Sequence, residues 1–463
     1  MAPRYPLDTE ASRTGASSGS LSGAPRPVTL PDPLYGELRL SAWAAALVAT
    51  PPFRRLAAVS LSDVPGELLF DRPFPSRLDH TLGVYHLARV ARPRDRALQA
   101  AALFHDLGHG PFSHLTEPLM RESLGMDHEE RSITLIATVR SCLSSTVARR
   151  LAWLDWDEVA ALLRGKDALD RGGLLAGRLD YDNADNLARF LLASGLGTPG
   201  YHPETLARAL RPFATEHATE HVEDCPETTR RHAAQHGAAR PMLASSQVNP
   251  AHHRAYVLAS AENEARAWQV DRATVYRYLH EGHRNLAAHA MLRKAVDLAA
   301  ATNILPPEFF DYTDAQALTL FARALDRGLV ALVERVQAGP DALHRCVWEA
   351  EAPASVAAIP ERFARWRDRL ALEARLAAEA ALAPHEVIVE ALVSSGPRAL
   401  PPIAPATHPR ELLWQPEPDP SPRVLHVFVA AGVARDYQRR VRIAAERLFR
   451  PLGAVSREEE TQS

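Results

Sequence analysis

The stretch Ala97-Leu98-Gln99-Ala100-Ala101-Ala102-Leu103-Phe104 constrains this chain more than any other. All of it but Gln99 is apolar, and its residues are strong helix formers. A helix apolar all round needs packing partners on every side, so this one belongs in a core. It runs straight into His105-Asp106, and Gly108 and Gly110-Pro111 then end it. A His-Asp pair is thereby set where a rigid scaffold meets a loop. Adjacent helical residues point about 100° apart, so both reach one ion only if it sits off the helix end. Imidazole nitrogen and carboxylate oxygen together suit a divalent first-row cation.

Other segments must complete such a shell. His80, on a helix expected to begin near Asp79, is the natural third ligand. A fourth is expected in residues 177–186, where Asp180, Asp182 and Asp185 crowd together. The plainer roles there are a helix N-cap for Asp180 and a surface face for Asp185. A bound cation would lower the pKa of water and polarise a phosphoryl oxygen. His109, four residues after His105, shares its face if the helix extends that far. His114 follows the turn, where a supporting histidine is as reasonable as a catalytic one. His128-Glu129 is a second His-carboxylate pair, suited to orienting water or protonating a leaving oxygen. Arg77, three residues before His80, suits a phosphate anion.

With 463 residues the chain can bury a large core. Its hydrophobic share of 46% and charged share of 24% fit a soluble globular protein. The net charge of -3 carries no basic signature, so nucleic-acid binding is not indicated. Cys142, Cys225 and Cys346 form neither a disulfide framework nor a zinc-finger spacing, which fits a reducing cytoplasm. The N-terminal stretch lacks the apolar core of a secretory signal, and no membrane-spanning run is expected.

Along the chain, residues 1–30 are rich in Ser, Gly, Ala and Pro and are expected to be a disordered tail. Residues 31–211 form a helical catalytic core, 212–254 a His-rich polar insertion, and 255–345 a helical extension. His217, His221 and Cys225 in the insertion have ligand-like spacing, but nothing supplies a fourth ligand. Residues 346–450 form a small α+β lobe, followed by a tail at 451–463. Within the lobe, Val387-Ile388-Val389 and 424–429 are expected strands, and 371–382 and 435–449 expected helices. Arg439, Arg440 and Arg442 fit a solvated helix face. The expected fold is mainly α with a small C-terminal α+β lobe.

Several strings follow one another along the chain: Asp32-Pro33-Leu34-Tyr35-Gly36, Thr50-Pro51-Pro52-Phe53-Arg54-Arg55-Leu56, residues 77–84, residues 104–114, Asp127-His128-Glu129-Glu130-Arg131-Ser132, and Leu179-Asp180-Tyr181-Asp182. Together they resemble the deoxynucleoside triphosphate triphosphohydrolase branch of the HD superfamily of metal-dependent phosphohydrolases. The resemblance implies an HD-domain core, a long helix around 275–299, and an α+β lobe around 424–449. It implies His80, His105, Asp106 and Asp182 as ligands of a divalent ion (Mn, Mg, Fe, Co, Ni or Zn). His109, His128, Glu129 and Asp106 become the catalytic group, with Glu129 beside the catalytic water. Arg77, His114 and Asp185 become the substrate contacts, with Glu117 supporting His114. The implied reaction is hydrolysis at the α-phosphate, giving a deoxynucleoside and triphosphate. A homo-oligomer and a nucleotide effector are implied as well.

Departures cluster on the substrate side. Leu61 stands where the branch has a sugar-reading glutamine, and Asn183 where it has a phosphate-binding cation. Asn186 replaces a sugar-stacking tyrosine, and Phe190 a hydroxyl-reading carboxylate. A later tyrosine falls at His280, with Tyr278 two residues off. The metal shell is kept while the substrate shell is rewritten. The alternatives are therefore an HD phosphohydrolase for another nucleotide or phosphoester, or a non-catalytic nucleotide-binding relative.

Overall fold

Ala, Leu and Arg dominate the first half of the chain, and helices follow from them. The computed structural model describes residues 26–70, 72–167, 169–212, 255–352, 365–393, 400–401, 403–404 and 423–456. It is mainly helical, with sixteen α-helices among the described residues and a four-stranded antiparallel sheet towards the C-terminus.

The last residues of the expected tail, 28–30, belong to a strand, and residues 1–25 of it lie outside the described residues. Strand β1 (Val28–Asp32) pairs antiparallel with β2 (Gly36–Leu40). Leu30, Leu38 and Leu40 are buried in the core. Asp32 closes the turn by accepting hydrogen bonds from the backbone of Leu34 and Tyr35. Helices α1 (Ala42–Val48) and α2 (Pro51–Arg55) lead on to the central helix α3 (Arg77–Ala91). It starts two residues before the expected Asp79, because Ser76 and Asp79 form a capping box around its first turn. Every residue from Arg77 to Ala88 is buried.

Helix α4 (Arg96–Phe104), capped by Asp95, packs on α3 as its apolar surface demands. It stops at Phe104, so His109 does not share a helical face with His105. Next come α5 (Glu117–Leu124), α6 (His128–Ser141), α7 (Ser145–Arg150) and α8 (Trp156–Leu163). Helix α9 (Tyr181–Ser194) starts at Asp180, whose carboxylate caps it by accepting from the Asn183 amide. It packs against α3, α10 (Pro203–Ala209) and α11 (Glu262–Glu281).

The long helix expected around 275–299 is broken. Gly282 separates α11 from α12 (His283–Ala301). Helix α12 packs with α13 (Asp314–Ala322) and α14 (Arg327–Gln337) around a second apolar cluster. The lobe's sheet follows: β5 (Arg345–Ala352), β6 (Val387–Val393), β8 (Arg423–Val429) and β9 (Val455–Ser456), in the order β6-β8-β5-β9. Helices α15 (Trp366–Glu379) and α16 (Arg435–Phe449) cover one face of it with Leu376, Ala377, Val441 and Phe449. The first starts before the expected 371–382; the second keeps the expected bounds. The other face meets α12. A small sheet joins β3 (Leu210–Pro212), β4 (Ala255–Leu258) and β7 (Ile403–Ala404). The His217, His221 and Cys225 group lies outside the described residues. No helix among the described residues is long and apolar enough to cross a membrane.

Candidate metal centre

Three segments deliver the donors. His80 lies on the first turn of α3, His105 and Asp106 on the turn after α4, and Asp182 next to the first residue of α9. His80 Nε2 is 3.0 Å from Asp182 Oδ1, 3.5 Å from Asp106 Oδ2 and 3.3 Å from His105 Nε2. Donor atoms of His80, His105 and Asp106 all lie within 4.8 Å of one another. The His80 side chain is 0% exposed and that of Asp182 34%, so the cluster opens to solvent on the Asp182 side.

The arrangement suits a cation. His105 Nδ1 donates to the Ala102 carbonyl at 2.8 Å, and His80 Nδ1 meets Asp185 Oδ2 at 2.8 Å. Those acceptors place the proton on Nδ1 of each ring and leave lone pairs on both Nε2 atoms. Two lone pairs and two carboxylates then converge in a largely buried space, which a divalent cation would relieve. The same negative surroundings act on His80. With no cation between them, Nε2 takes a proton instead: burial works against it, yet hydrogen bonds to Asp182 and Asp185 raise the His80 pKa to about 9, and a bound cation would displace that proton to use the lone pair.

Behind His80 lies a network that orients it. Arg189 donates to both oxygens of Asp185, at 2.9 and 2.8 Å, and to Asp32 Oδ2 at 2.8 Å. Tyr35 Oη donates to Asp185 Oδ1 at 2.9 Å. A carboxylate on the far nitrogen of a ligating imidazole fixes the ring and raises its basicity. Asp185 therefore stands behind His80 with both oxygens engaged by His80, Arg189 and Tyr35, rather than among the expected substrate contacts. Burial pushes its pKa up, but Arg189 and His80 hold it well below the usual carboxylate range. Gly83 makes room for this pair: a β-carbon there would meet Asp185 Oδ1 at 1.8 Å.

Arg77 also differs from expectation. Buried and 2% exposed, it donates from Nη1 to Asp106 Oδ2 at 2.7 Å and from Nε to Ser113 Oγ at 2.8 Å. Two of its nitrogens are thus taken up by Asp106 and Ser113 rather than left for a phosphate. The loop from His105 to Ser113 is clamped from several sides. Arg55 donates to the carbonyls of Leu107 and His109, Arg131 to that of Gly108, and Asp314 accepts from the Phe112 amide. Ser132 accepts from the Gly108 amide and donates to the His105 carbonyl. At Gly108 a β-carbon would meet the His128 carbonyl at 2.0 Å, so the loop can press on α6 only as glycine. Phe112 and Ser113 sit in the left-handed region, at φ 59 and 52. Such strain persists only where surrounding contacts enforce it.

Beside the cluster stand three more imidazoles. Donor atoms of His109, His114 and His128 lie within 4.8 Å of one another. Glu117 Oε2 is shared by His114 Nδ1 at 3.0 Å and His128 Nδ1 at 3.1 Å. Burial opposes a charge on His128, but the Glu117 hydrogen bond raises its pKa to about 9. His109 stacks on His128 with ring centroids 4.0 Å apart. Burial, with Arg77 and His128 adding to it, holds His109 well below the usual histidine range. At neutral pH a charged and an uncharged imidazole are therefore in face contact. Glu129, the second residue of α6, is exposed.

The substrate-side departures have structural homes. Leu61 is buried in the core. Asn183 Nδ2 donates to Asp180 Oδ1 at 2.8 Å, serving the helix cap. Phe190 packs edge-on against Phe74, and Tyr278 lies against Phe190 and Phe70. The side chain of His280 lies outside the described residues. Sequence reasoning missed the parts played by Asp32, Tyr35, Arg55, Arg189 and Asp314. The i,i+4 spacing of Asp185 and Arg189 was a usable signal for one of them. Nothing near Asp314 in sequence points to a loop some 200 residues away.

Comparison with known proteins agrees with this geometry. Residues 77–189 match the HD domain. That span holds His80, His105, Asp106 and Asp182 together with the Asp185–Arg189 pair, and the chain carries an HD domain. Among its relatives, the uncharacterized protein YwfO of Bacillus subtilis is 31% identical over 180 residues, covering 36% of this chain and 40% of that protein. Deoxynucleoside triphosphate triphosphohydrolase SAMHD1 of Homo sapiens is 30% identical over 122 residues, 22% of this chain and 19% of that protein. The Gallus gallus enzyme of the same name is 33% identical over 124 residues, 22% and 20% of the two chains. The matches thus span 40% of the Bacillus relative and about a fifth of the triphosphohydrolases.

Proposed function

We propose that this protein is a metal-dependent phosphohydrolase that cleaves a nucleotide, with a deoxynucleoside triphosphate as substrate and a nucleoside and triphosphate as products. The convergence of His80, His105, Asp106 and Asp182, with both Nε2 lone pairs turned inward, carries this reading. When bound, a divalent cation supplies charge stabilisation for a phosphoryl group and acidifies water. The chain's own residues do the rest. Arg77 holds Asp106 in place, and Asp185 holds His80. In this reading His128, kept charged by Glu117, gives a proton to a leaving oxygen. His109, uncharged and buried between Asp106 and His128, faces the reacting phosphate in the same reading.

A second reading keeps the chemistry and changes the substrate to another nucleotide or phosphoester. Asn183 tied to its helix cap and Phe190 packed among aromatic rings favour it. A homo-oligomer and a nucleotide effector belong to the first reading and rest on the family resemblance alone. Incubating the purified chain with Mn²⁺ and a panel of nucleotides, with products resolved by chromatography, separates these readings. Triphosphate release supports the first and a different phosphate product the second. Binding without turnover by well-folded protein would contradict both.

A further inference from the structure

A second set of metal-binding side chains lies at the junction of core and lobe, away from the HD centre. His283 is the first residue of α12, and Cys346 and Glu349 are on β5. Their donor atoms all lie within 4.8 Å of one another. His283 Nε2 is 3.0 Å from Glu349 Oε2. His426 on β8 brings its own Nε2 to 3.6 Å from the same oxygen. The rings of His283 and His426 are edge-on, with centroids 5.9 Å apart.

Two irregularities create this grouping. On a regular strand, residues three apart face opposite sides of the sheet. Strand β5 has a register shift between Cys346 and Trp348. Cys346 pairs with Phe428 and Glu349 with His426, and those partners are two apart on β8 and share a face. The bulge therefore turns Cys346 and Glu349 to the same side, the kind of re-aiming that bulges provide. The break at Gly282 then starts a new helix at His283, directly over them.

We propose that His283, Cys346 and Glu349, with neighbouring His426 drawn in as the fourth donor, bind a zinc ion that ties the start of α12 to the lobe's sheet. One thiolate, two imidazoles and one carboxylate form a borderline-soft set suited to four-coordinate zinc, and four protein ligands make the site structural rather than catalytic. His283, 55% exposed, offers the path of entry, while His426 is 1% exposed and Glu349 16%. Burial pushes the Cys346 thiol up to about 12.

The test uses the full chain carrying Asp106→Ala, so that the HD centre does not contribute bound metal. Produced with zinc, this protein should hold about one zinc per chain by elemental mass spectrometry. Adding Cys346→Ser should lower that content at least about tenfold while the helical circular dichroism is kept. Cobalt loaded in place of zinc should show a near-ultraviolet sulfur-to-metal absorption that Cys346→Ser removes. The cobalt spectrum is read with Cys346 in place, so it does not depend on how well the serine variant folds. Zinc content indifferent to Cys346→Ser, or cobalt bound without the sulfur band, would overturn the proposal. So would folded Asp106→Ala protein that takes up no zinc.

Discussion

The His80 imidazole is set as much by the groups behind it as by those it faces. Asp185 holds its Nδ1, and Arg189, Tyr35 and Asp32 hold Asp185. Replacing Asp185 with Asn keeps every metal donor and removes only the charge behind the ring. Metal affinity should fall by about 10- to 100-fold, measured by Mn²⁺ titration. An unchanged affinity would show that the ring needs no such support. A second residue-scale prediction concerns protons. His128 has a pKa of about 9 while Glu117 faces it. As the proton donor it is competent below that pH, and activity should decline as pH rises through about 9. Glu117→Gln removes the anion, so the decline should begin nearer the ordinary histidine value of 6.5, read from the pH profile of kcat/KM. At this scale the residue types at the centre were legible, because His-Asp adjacency and a third His demand a shared purpose. Their directions were not. Spacing shows that Asp180, Asp182 and Asp185 crowd together, but only the fold shows that one caps a helix, one faces the Nε2 of His80 and one lies behind that ring.

Among the elements, α12 carries the most connections. His289 on it lies 3.5 Å from Asp63 Oδ2 and 3.7 Å from Glu390 Oε2, linking the loop before α3 to the lobe's strand β6. Burial lowers its pKa, but the two carboxylates raise it to about 9, above the ordinary 6.5. A raised histidine pKa adds stability that is fully present below about 6.5 and lost as pH climbs through about 9. The melting temperature should fall across that window, and His289→Gln should flatten the fall. Parallel slopes for the two proteins would contradict this. Helix α16 was legible in full, since its apolar positions recur at helical spacing and strand patterns precede it. The β1-β2 hairpin was not, because its sequence is short and Pro-bearing and its pairing is visible only once Leu30 and Leu38 reach the core. The break at Gly282 was missed too, as a lone glycine in a helical pattern is usually tolerated.

At the scale of the whole molecule, core and lobe are joined by buried charge. Arg293 meets Glu390 at 2.8 Å, Asp297 at 2.9 Å and Glu373 at 3.1 Å, while Lys294 meets Glu373 at 2.9 Å and Arg369 meets Asp297 at 2.6 Å. Such a network is not inherently more stable than a well-packed apolar junction, but removing one member strands the others. Glu373→Gln should cost about 3–5 kcal/mol in denaturant unfolding. A loss below about 1 kcal/mol would mean that the junction relaxes or admits water. The mainly helical fold was legible from composition and motif order. This junction was not, because its partners lie as much as 97 residues apart in sequence and only folding brings their charges together. The proposed function stands on four side chains from three segments holding one catalytic cation. Electron paramagnetic resonance of Mn²⁺ added to the wild-type chain and to Asp106→Ala reads it directly, since Mn²⁺ favours oxygen and nitrogen donors over the thiolate of Cys346. The wild type should bind about one Mn²⁺ tightly, and the variant should lose that binding. Equal Mn²⁺ binding by both folded proteins would contradict it.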